Sequence, residues 1–329
     1  MPEKKPDWLP LESSHPPDPQ ARVVLERLRP QVDGGRFPVK RTAGQTVEVQ
    51  VDLFADGHDR LAGHLLFRHQ DDVEEWRRVP LIERPNDLWE ASFTVEREGR
   101  YRYTVEGWVD RFRTWRIDTE TKALAGQEIE VELMVGSLLA EQASRRAGGK
   151  DRRDLHGWSD TLSDQGLNSG DRLRRIREED LEELMARYPD RSTASTYPRE
   201  LEVVVDRERA GFGAWYEFFP RSCTTDPSEH GTFESSLEHL DYVAEMGFDV
   251  VYLPPIHPIG ETERKGPNNL SAADPNDPGS PWGIGGKAGG HTAVHPDLGT
   301  LEDFDRFLAR TRELGMELAL DLAFQCSPD

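Results

Sequence analysis

Cysteine is scarce in this chain, and its scarcity sets a first limit. Only Cys223 and Cys326 occur, far apart in sequence. Two such thiols make no disulfide framework, and a reducing cytoplasm is the simple expectation. Long apolar runs are missing as well: no stretch of about 18 apolar residues is present, so nothing reads as a membrane span. The opening residues, MPEKKPDWLPLESSHPPDPQ, have no apolar core after their lysines. They do not read as a secretory signal, and residues 1–20 are expected to form a disordered, proline-punctuated tail. Positive charge is outnumbered, with 41 Lys and Arg against 62 Asp and Glu and a formal net charge of −21. That field repels phosphate backbones and removes the main driving force for nucleic-acid binding. An anionic small molecule would need a local positive pocket to overcome it.

What is present suffices for several cores: 36% of the 329 residues are hydrophobic, and the length predicts about two or three domains. From about Val39 to Ile117 short strands are expected. TVEVQVDLF alternates, with Val47, Val49, Val51 and Leu53 on one face, as a half-buried strand does. LAGHLLFRH, EEWRRVPLI, LWEASFTV and YRYTVEGWV follow at roughly 8–12-residue spacing, which predicts an antiparallel sandwich. GRYRYTVEGWVDRFRTWRID resembles the closing hairpin of an immunoglobulin-like module. Residues 118–195 change character. GQEIEVELMVGSLLAEQASRRAG and REEDLEELMARYPD carry helical spacing, as in Leu181, Leu184, Met185 and Tyr188, while GWSDTLSDQGLNSG between them reads as a polar turn. ELEVVVDRE (200–208) then reads as a strand returning to the sandwich. The expected organisation is a sandwich over 21–117 plus 196–209, a helical insertion over 118–195 and a further domain over 210–329.

In that further domain AWYEFFP (214–220), FDVVYLPPI and MELALDLAF read as buried strands. The helix between the first two starts at Thr232 as N-cap, with Phe233, Leu237, Leu240 and Val243 on one face and Gly247 at its end. The next is LEDFDRFLARTREL, capped by Thr300 with Asp303 placed for a capping box and ended by Gly315. Such a βαβαβ series demands a parallel sheet with right-handed crossovers. On pattern alone it is either a doubly wound sheet or the start of a (β/α)8 barrel.

The second of these strands is followed by His257 to Gly299 without periodicity, far beyond the usual strand-to-helix loop of about two to six residues. Loops at that end of an α/β sheet are where ligands bind. Lys265, Asn268, Asn269, Trp282 and Lys287 offer donors and a planar face, which is what sugar recognition needs; the alternative is a floppy surface insertion. Gly283, Gly285 and Gly286 do not make a phosphate loop, because no strand immediately precedes them and no helix immediately follows. His257, His291 and His295 lack zinc-ligand spacing and are expected in polar contacts or loop packing. Cys326 is expected as a small packed residue rather than a nucleophile. Asp321, near the end of the third strand, reads as catalytic or as a structural carboxylate holding neighbouring loops.

Taken in order, GFGAWYEFFPRS, MGFDVVYLPPIHPIG, RKGPNN, DPGSPWGIG, HPDLGTLEDFDRF and ALDLAFQCSPD resemble the α-1,4-glucan:maltose-1-phosphate maltosyltransferases of the α-amylase superfamily. The close match covers about residues 211–329, with a fair fit of domain plan upstream; MGFDVVYLPPI and GTLEDF alone indicate only the superfamily. The resemblance implies a β-sandwich, a helical subdomain used in homodimerisation and a catalytic (β/α)8 barrel. It also implies transfer of maltosyl from maltose 1-phosphate to the non-reducing end of an α-1,4-glucan, with phosphate released by a retaining mechanism and without metal or cofactor. By motif, Lys265 and Gln325 correspond to donor-sugar contacts and Asp321 to a supporting aspartate that does not attack the sugar. Asn268 and Asn269 fall in the same RKGPNN motif as further supporting residues. Generic amylases usually have Asn and His where this chain has Gln325 and Cys326, which favours the maltosyltransferase branch. The resemblance places the nucleophile and the acid/base beyond Asp329, so no catalytic residue is assigned. The 329-residue polypeptide alone is then expected to lack transferase activity. An amylase-type hydrolase and a non-catalytic glucan-binding or dimerisation module are the rival readings.

Overall fold

A computed structural model describes residues 22–72, 75–177, 179–226 and 229–329; the tail expected over residues 1–20 lies outside them. The chain divides into two compact units, Met1–Glu208 and Arg209–Asp329. Among the described residues no helix is long and apolar enough to cross a membrane.

The first unit opens with strands β1 (Val23–Arg29), β2 (Val39–Thr42), β3 (Thr46–Ala55), β4 (Leu61–His69), β5 (Arg77–Pro80), β6 (Ile82–Glu83), β7 (Leu88–Thr94) and β8 (Gly99–Val109). Five helices follow: α1 (Arg111–Leu124), α2 (Glu130–Arg146), α3 (Gly149–Ser163), α4 (Ser169–Ile176) and α5 (Glu179–Arg187). The chain then adds β9 (Ser195–Thr196) and β10 (Leu201–Asp206). One sheet has the order β1-β3-β7-β6; the other has β2-β10-β8-β4-β5, with β9 on β8. All these pairs are antiparallel except β10 with β2. Alternation explains the layering. Val47, Val49, Val51 and Leu53 of β3 meet Tyr103, Val105, Leu201, Val203 and Val205 of the other sheet in one apolar core, so one face of each sheet is removed from water.

The helices have their own core, including Phe112, Trp115, Leu133, Leu155, Leu162, Ile176, Leu181, Leu184 and Met185. Two expectations are corrected here. Residues 111–117 are not the end of a hairpin: Asp110 accepts from the Arg113 amide and starts α1, and Phe112, Trp115 and Thr119 bury one helical face, so the helical part begins before residue 118. Nor is GWSDTLS a turn. It is the second half of α3, because Leu155, Ser159 and Leu162 recur at helical spacing and are buried, and Ser137 of α2 donates to the Ser159 carbonyl at 2.8 Å.

The second unit holds β11 (Trp215–Glu217), α6 (Leu237–Glu245), β12 (Val250–Leu253), α7 (Leu301–Glu313) and β13 (Glu317–Leu320). The strands pair in parallel, in sequence order, with Trp215 opposite Val250 and Val250 opposite Glu317. Thr300 and Asp303 form the capping box of α7. Thr232 accepts from the Ser235 amide one turn before α6, and Gly247 and Gly315 take positive φ after the two helices, where a side chain would be strained. Only β12 is the buried strand expected. Trp215 is 57% exposed, and Leu320, Leu322 and Phe324 are exposed, because β11 and β13 flank the sheet while Val250, Val251 and Leu253 fill its centre.

Candidate functional site

Parallel register puts the ends of β11, β12 and β13 side by side, and the chain leaves each in an irregular segment. Asp321 is the first residue beyond β13. Its amide donates to the Leu253 carbonyl (3.0 Å), fixing it at the sheet end. Its Oδ2 accepts from Trp282 Nε1 at 2.7 Å, and the indole stands edge-on to Phe219 at 6.0 Å. The Tyr252 phenol is pushed above its ordinary value by burial and by its hydrogen bond to Asp321. A carboxylate gripped by an indole and a phenol is oriented by the fold and ties the ends of β12 and β13 to the loop that carries Trp282.

The long loop is anchored, not floppy. Arg264 donates to three carbonyls, Gly260, Ile259 and Asp277, each at 3.0 Å, and Arg221 donates to Gly279 at 3.0 Å. Ile284 bridges to both Ile259 and Cys326. Within the glycine run, the amides of Gly283, Gly285 and Gly286 bond to the carbonyls of Ser280, Pro258 and Asp329, so these donors serve the loop and are not aimed at a phosphate. His257 Nδ1 donates to Ala293 (2.9 Å) and His291 Nε2 to Ala323 (2.7 Å); both rings pin backbone. Cys326 departs from expectation: it is exposed, because its backbone rather than its thiol meets Ile284. Cys223 is half-buried, and burial pushes its thiol up, which disfavours a thiolate.

Lys265, Asn268, Asn269 and Lys287 are exposed. The first three share one tight turn, in which Asn268 and Asn269 have φ of 54° and 63°. Gln325 is exposed on the segment after β13. Among the described residues, no hydrogen bond joins Lys265 or either asparagine to Gln325; the fold brings Asp321 and Trp282 together and leaves these side chains at the rim.

Sequence reasoning missed His230. Its ring stacks on His295 at 5.6 Å, and with Asp297 the two place one donor atom each within 4.8 Å of one another. Burial lowers the pKa of His295; Asp297 opposes that shift, while His230, Arg264 and Arg221 reinforce it. His295 is only partly buried and Asp297 is exposed, and we assign no metal there.

The second unit is part of an amylase-type catalytic domain: residues 217–328 match the family model described as alpha amylase, catalytic domain. Residues 21–207 match another, alpha-1,4-glucan:maltose-1-phosphate maltosyltransferase, domain N/S. The chain therefore belongs to the alpha-1,4-glucan:maltose-1-phosphate maltosyltransferase family. A relative of that name from Chlorobaculum tepidum is 44% identical over 99% of this chain and 48% of its own length. Another from Methylacidiphilum infernorum is 46% identical over 95% and 46%. The chain thus spans about half the length of the curated relatives it matches. Among solved structures, an alpha-amylase from Lactobacillus plantarum aligns over 34% of this chain and 22% of that one, at 34% identity and a TM-score of 0.27.

Proposed function

We infer that this chain serves maltosyl transfer in α-glucan synthesis. The C1–O bond of maltose 1-phosphate breaks, phosphate leaves, and the maltosyl unit is joined to the non-reducing end of an α-1,4-glucan with retention. The observation that carries the reading is the union, in one chain, of a maltosyltransferase N/S match and an amylase-type catalytic match. Lys265 and Gln325 contact the donor sugar, and Asp321 supports the site; its engagement with Trp282 suits a positioning role rather than attack. Asn268 and Asn269 shape the turn that presents Lys265. Nucleophile and acid/base are assigned to no residue of this chain. The parallel strands belong to a (β/α)8 barrel over 210–329, and the two-sheet core to an immunoglobulin-like sandwich interrupted by the helical insertion. The protein works in the cytoplasm. The test supplies maltose 1-phosphate and maltohexaose to the full product of the gene. Phosphate release with glucans longer by one maltosyl unit supports the reading. Reducing ends formed from water without phosphate release would instead make the protein a hydrolase.

A homodimer through the helical insertion is favoured by one feature. Val131, Met134, Val135 and Leu138 of α2 are all exposed and recur at i, i+3, i+4 and i+7, opposite the buried Leu133, Ser137 and Ala140. A continuous apolar stripe of that kind gains from cover by a second copy.

A further inference from the structure

The loop that carries Lys265 and the segment that carries Gln325 are joined by side chains to which the chemistry above gives no part. Asp329 turns its carboxylate to the long loop: Oδ2 accepts from the Glu261 amide at 2.9 Å and Oδ1 from the Thr262 amide at 3.2 Å. The Ser327 hydroxyl meets both the Thr262 carbonyl, at 3.0 Å, and the Asp329 carboxylate, sharing its one hydrogen between the two acceptors. The backbone adds a second attachment. The Ser327 amide donates to the Ile284 carbonyl at 2.8 Å, and the Gly286 amide donates to the Asp329 carbonyl at 3.2 Å. Residues 327–329 are thus bonded to both arms of the loop, near Thr262 and near Ile284. The approach is close: a Cβ added at Gly260 would collide with Ser327, and one at Gly285 would lie 2.7 Å from the Asp329 carbonyl oxygen.

Both Asp329 oxygens are committed to the loop, so this carboxylate holds backbone and is not free to move a proton. Hydrogen bonds from Ser327 and from the Glu261 and Thr262 amides outweigh desolvation and keep its carboxyl below the ordinary value. It is therefore charged at neutral pH, and bonds to it are of the stronger, charge-assisted kind. Arg264 carries the constraint onward. Its guanidinium holds the carbonyls of Gly260, Ile259 and Asp277, and Lys265 follows it directly in the chain. Among the described residues no hydrogen bond or ion pair fixes the Lys265 side chain itself, so its place is set by the backbone that leads to it. We propose that Asp329, assisted by Ser327, is a positioning residue for the donor sugar: by tying Glu261 and Thr262 to the segment after β13, it sets the separation of Lys265 from Gln325. The proposal rests on the function inferred above, in which those two residues contact the maltosyl donor.

The test follows phosphate release by the full product of the gene, varying maltose 1-phosphate and maltohexaose in turn. Asp329→Ala should raise the KM for maltose 1-phosphate about tenfold, the scale of a lost charge-assisted bond. It should leave kcat within about threefold and the KM for maltohexaose unchanged, which a mere loss of folded protein would not do. Asp329→Asn keeps one acceptor oxygen and should recover part of the donor KM. Thr300→Ala weakens the cap of α7, away from the clamp, and should move neither KM. In a Lys265→Ala background Asp329→Ala should add little, because no ammonium is left to place. Effects that multiply independently, or donor and acceptor KM rising together, overturn the positioning role. If far-UV circular dichroism shows that Asp329→Ala does not fold, Asp329→Asn and Ser327→Ala carry the same readout. Amide hydrogen exchange at Glu261 and Thr262 reads the clamp without turnover: it should quicken in the Asp329 and Ser327 variants, and unchanged exchange overturns the clamp. A parent that releases no phosphate overturns maltosyl transfer and the donor role with it, while quickened exchange still leaves the clamp standing.

Discussion

Replacing Gly136 with alanine should destabilise the helical part of the first unit, the reverse of what alanine does at an ordinary helical glycine. Gly136 lies inside α2, where alanine on propensity alone would gain about 1 kcal/mol. Its α-carbon, however, faces the Trp115 indole. An added Cβ would sit 2.7 Å from Cε2 of that ring and closer still to Cζ2 and Cη2. The ring cannot simply swing aside: it is 7% exposed, and its Nε1 donates to the Glu132 carbonyl at 2.6 Å. Overpacking of this kind costs about 1–3 kcal/mol, and a broken hydrogen bond adds about 1 kcal/mol. Net of propensity, a loss of about 1–3 kcal/mol is expected. Gly157, inside α3, has nothing within 4 Å of its added Cβ, so Gly157→Ala should gain up to about 1 kcal/mol. Urea unfolding of the three proteins, followed by tryptophan fluorescence and far-UV circular dichroism, reads both signs at once. A Gly136→Ala protein as stable as its parent, or more so, would refute the steric reasoning.

Burial opposes ionisation of Glu106, but bonds from His64 and Arg191 outweigh it and hold the carboxyl down to about 2, from an ordinary 4.5. Its contribution is therefore fully present above about pH 4.5 and is lost as pH falls toward about 2; Glu106→Gln should lower stability at pH 6 by about 2 kcal/mol and flatten the acid limb of the stability profile. Thr300→Ala removes one half of the α7 capping box and should cost about 1 kcal/mol in the unfolding of the second unit, measured in urea. Leu138→Glu puts a charge in the exposed α2 stripe and should turn dimers into monomers in sedimentation without lowering the melting temperature; a parent that is already monomeric at high concentration would remove the dimer proposal. Trp282→Phe keeps an aromatic side chain and deletes the donor to Asp321, so, on the proposed function, phosphate release by the full gene product should fall while its unfolding free energy stays within about 1 kcal/mol of the parent.

Period-two alternation made β3 and β10 readable, since every second residue of TVEVQVDL and LEVVV enters the core. The capping box made α7 readable for the same reason: its signal is local. β1 was not readable as a strand. VVLERLR carries charges at core-facing phase, and Arg27 takes φ +50° where the register with β3 shifts between Glu26 and Arg29. A shift of that kind re-aims the chain so that Val23 and Leu28 both reach the core although they are not in phase. α3 was misread where its residues are polar, because Ser159 is buried by a hydrogen bond from another helix, a partner that no window of sequence contains.

The candidate site divides along the same line. Asp321 could be placed at a strand end from MELALD alone, since the apolar run stops there. That Trp282 would grip it could not, because the indole arrives from the far side of a loop whose path is set by Arg264 bonding three carbonyls. His230 was invisible for a related reason: it lies between β11 and α6, and it stacks on His295, which lies between β12 and α7, far away in sequence. Local chemistry writes strands, caps and strand ends into a sequence. The convergence of side chains from separate segments is a property of the fold: at this site the sheet sets Asp321 beside Tyr252, and the loop after β12 brings Trp282 to the same carboxylate.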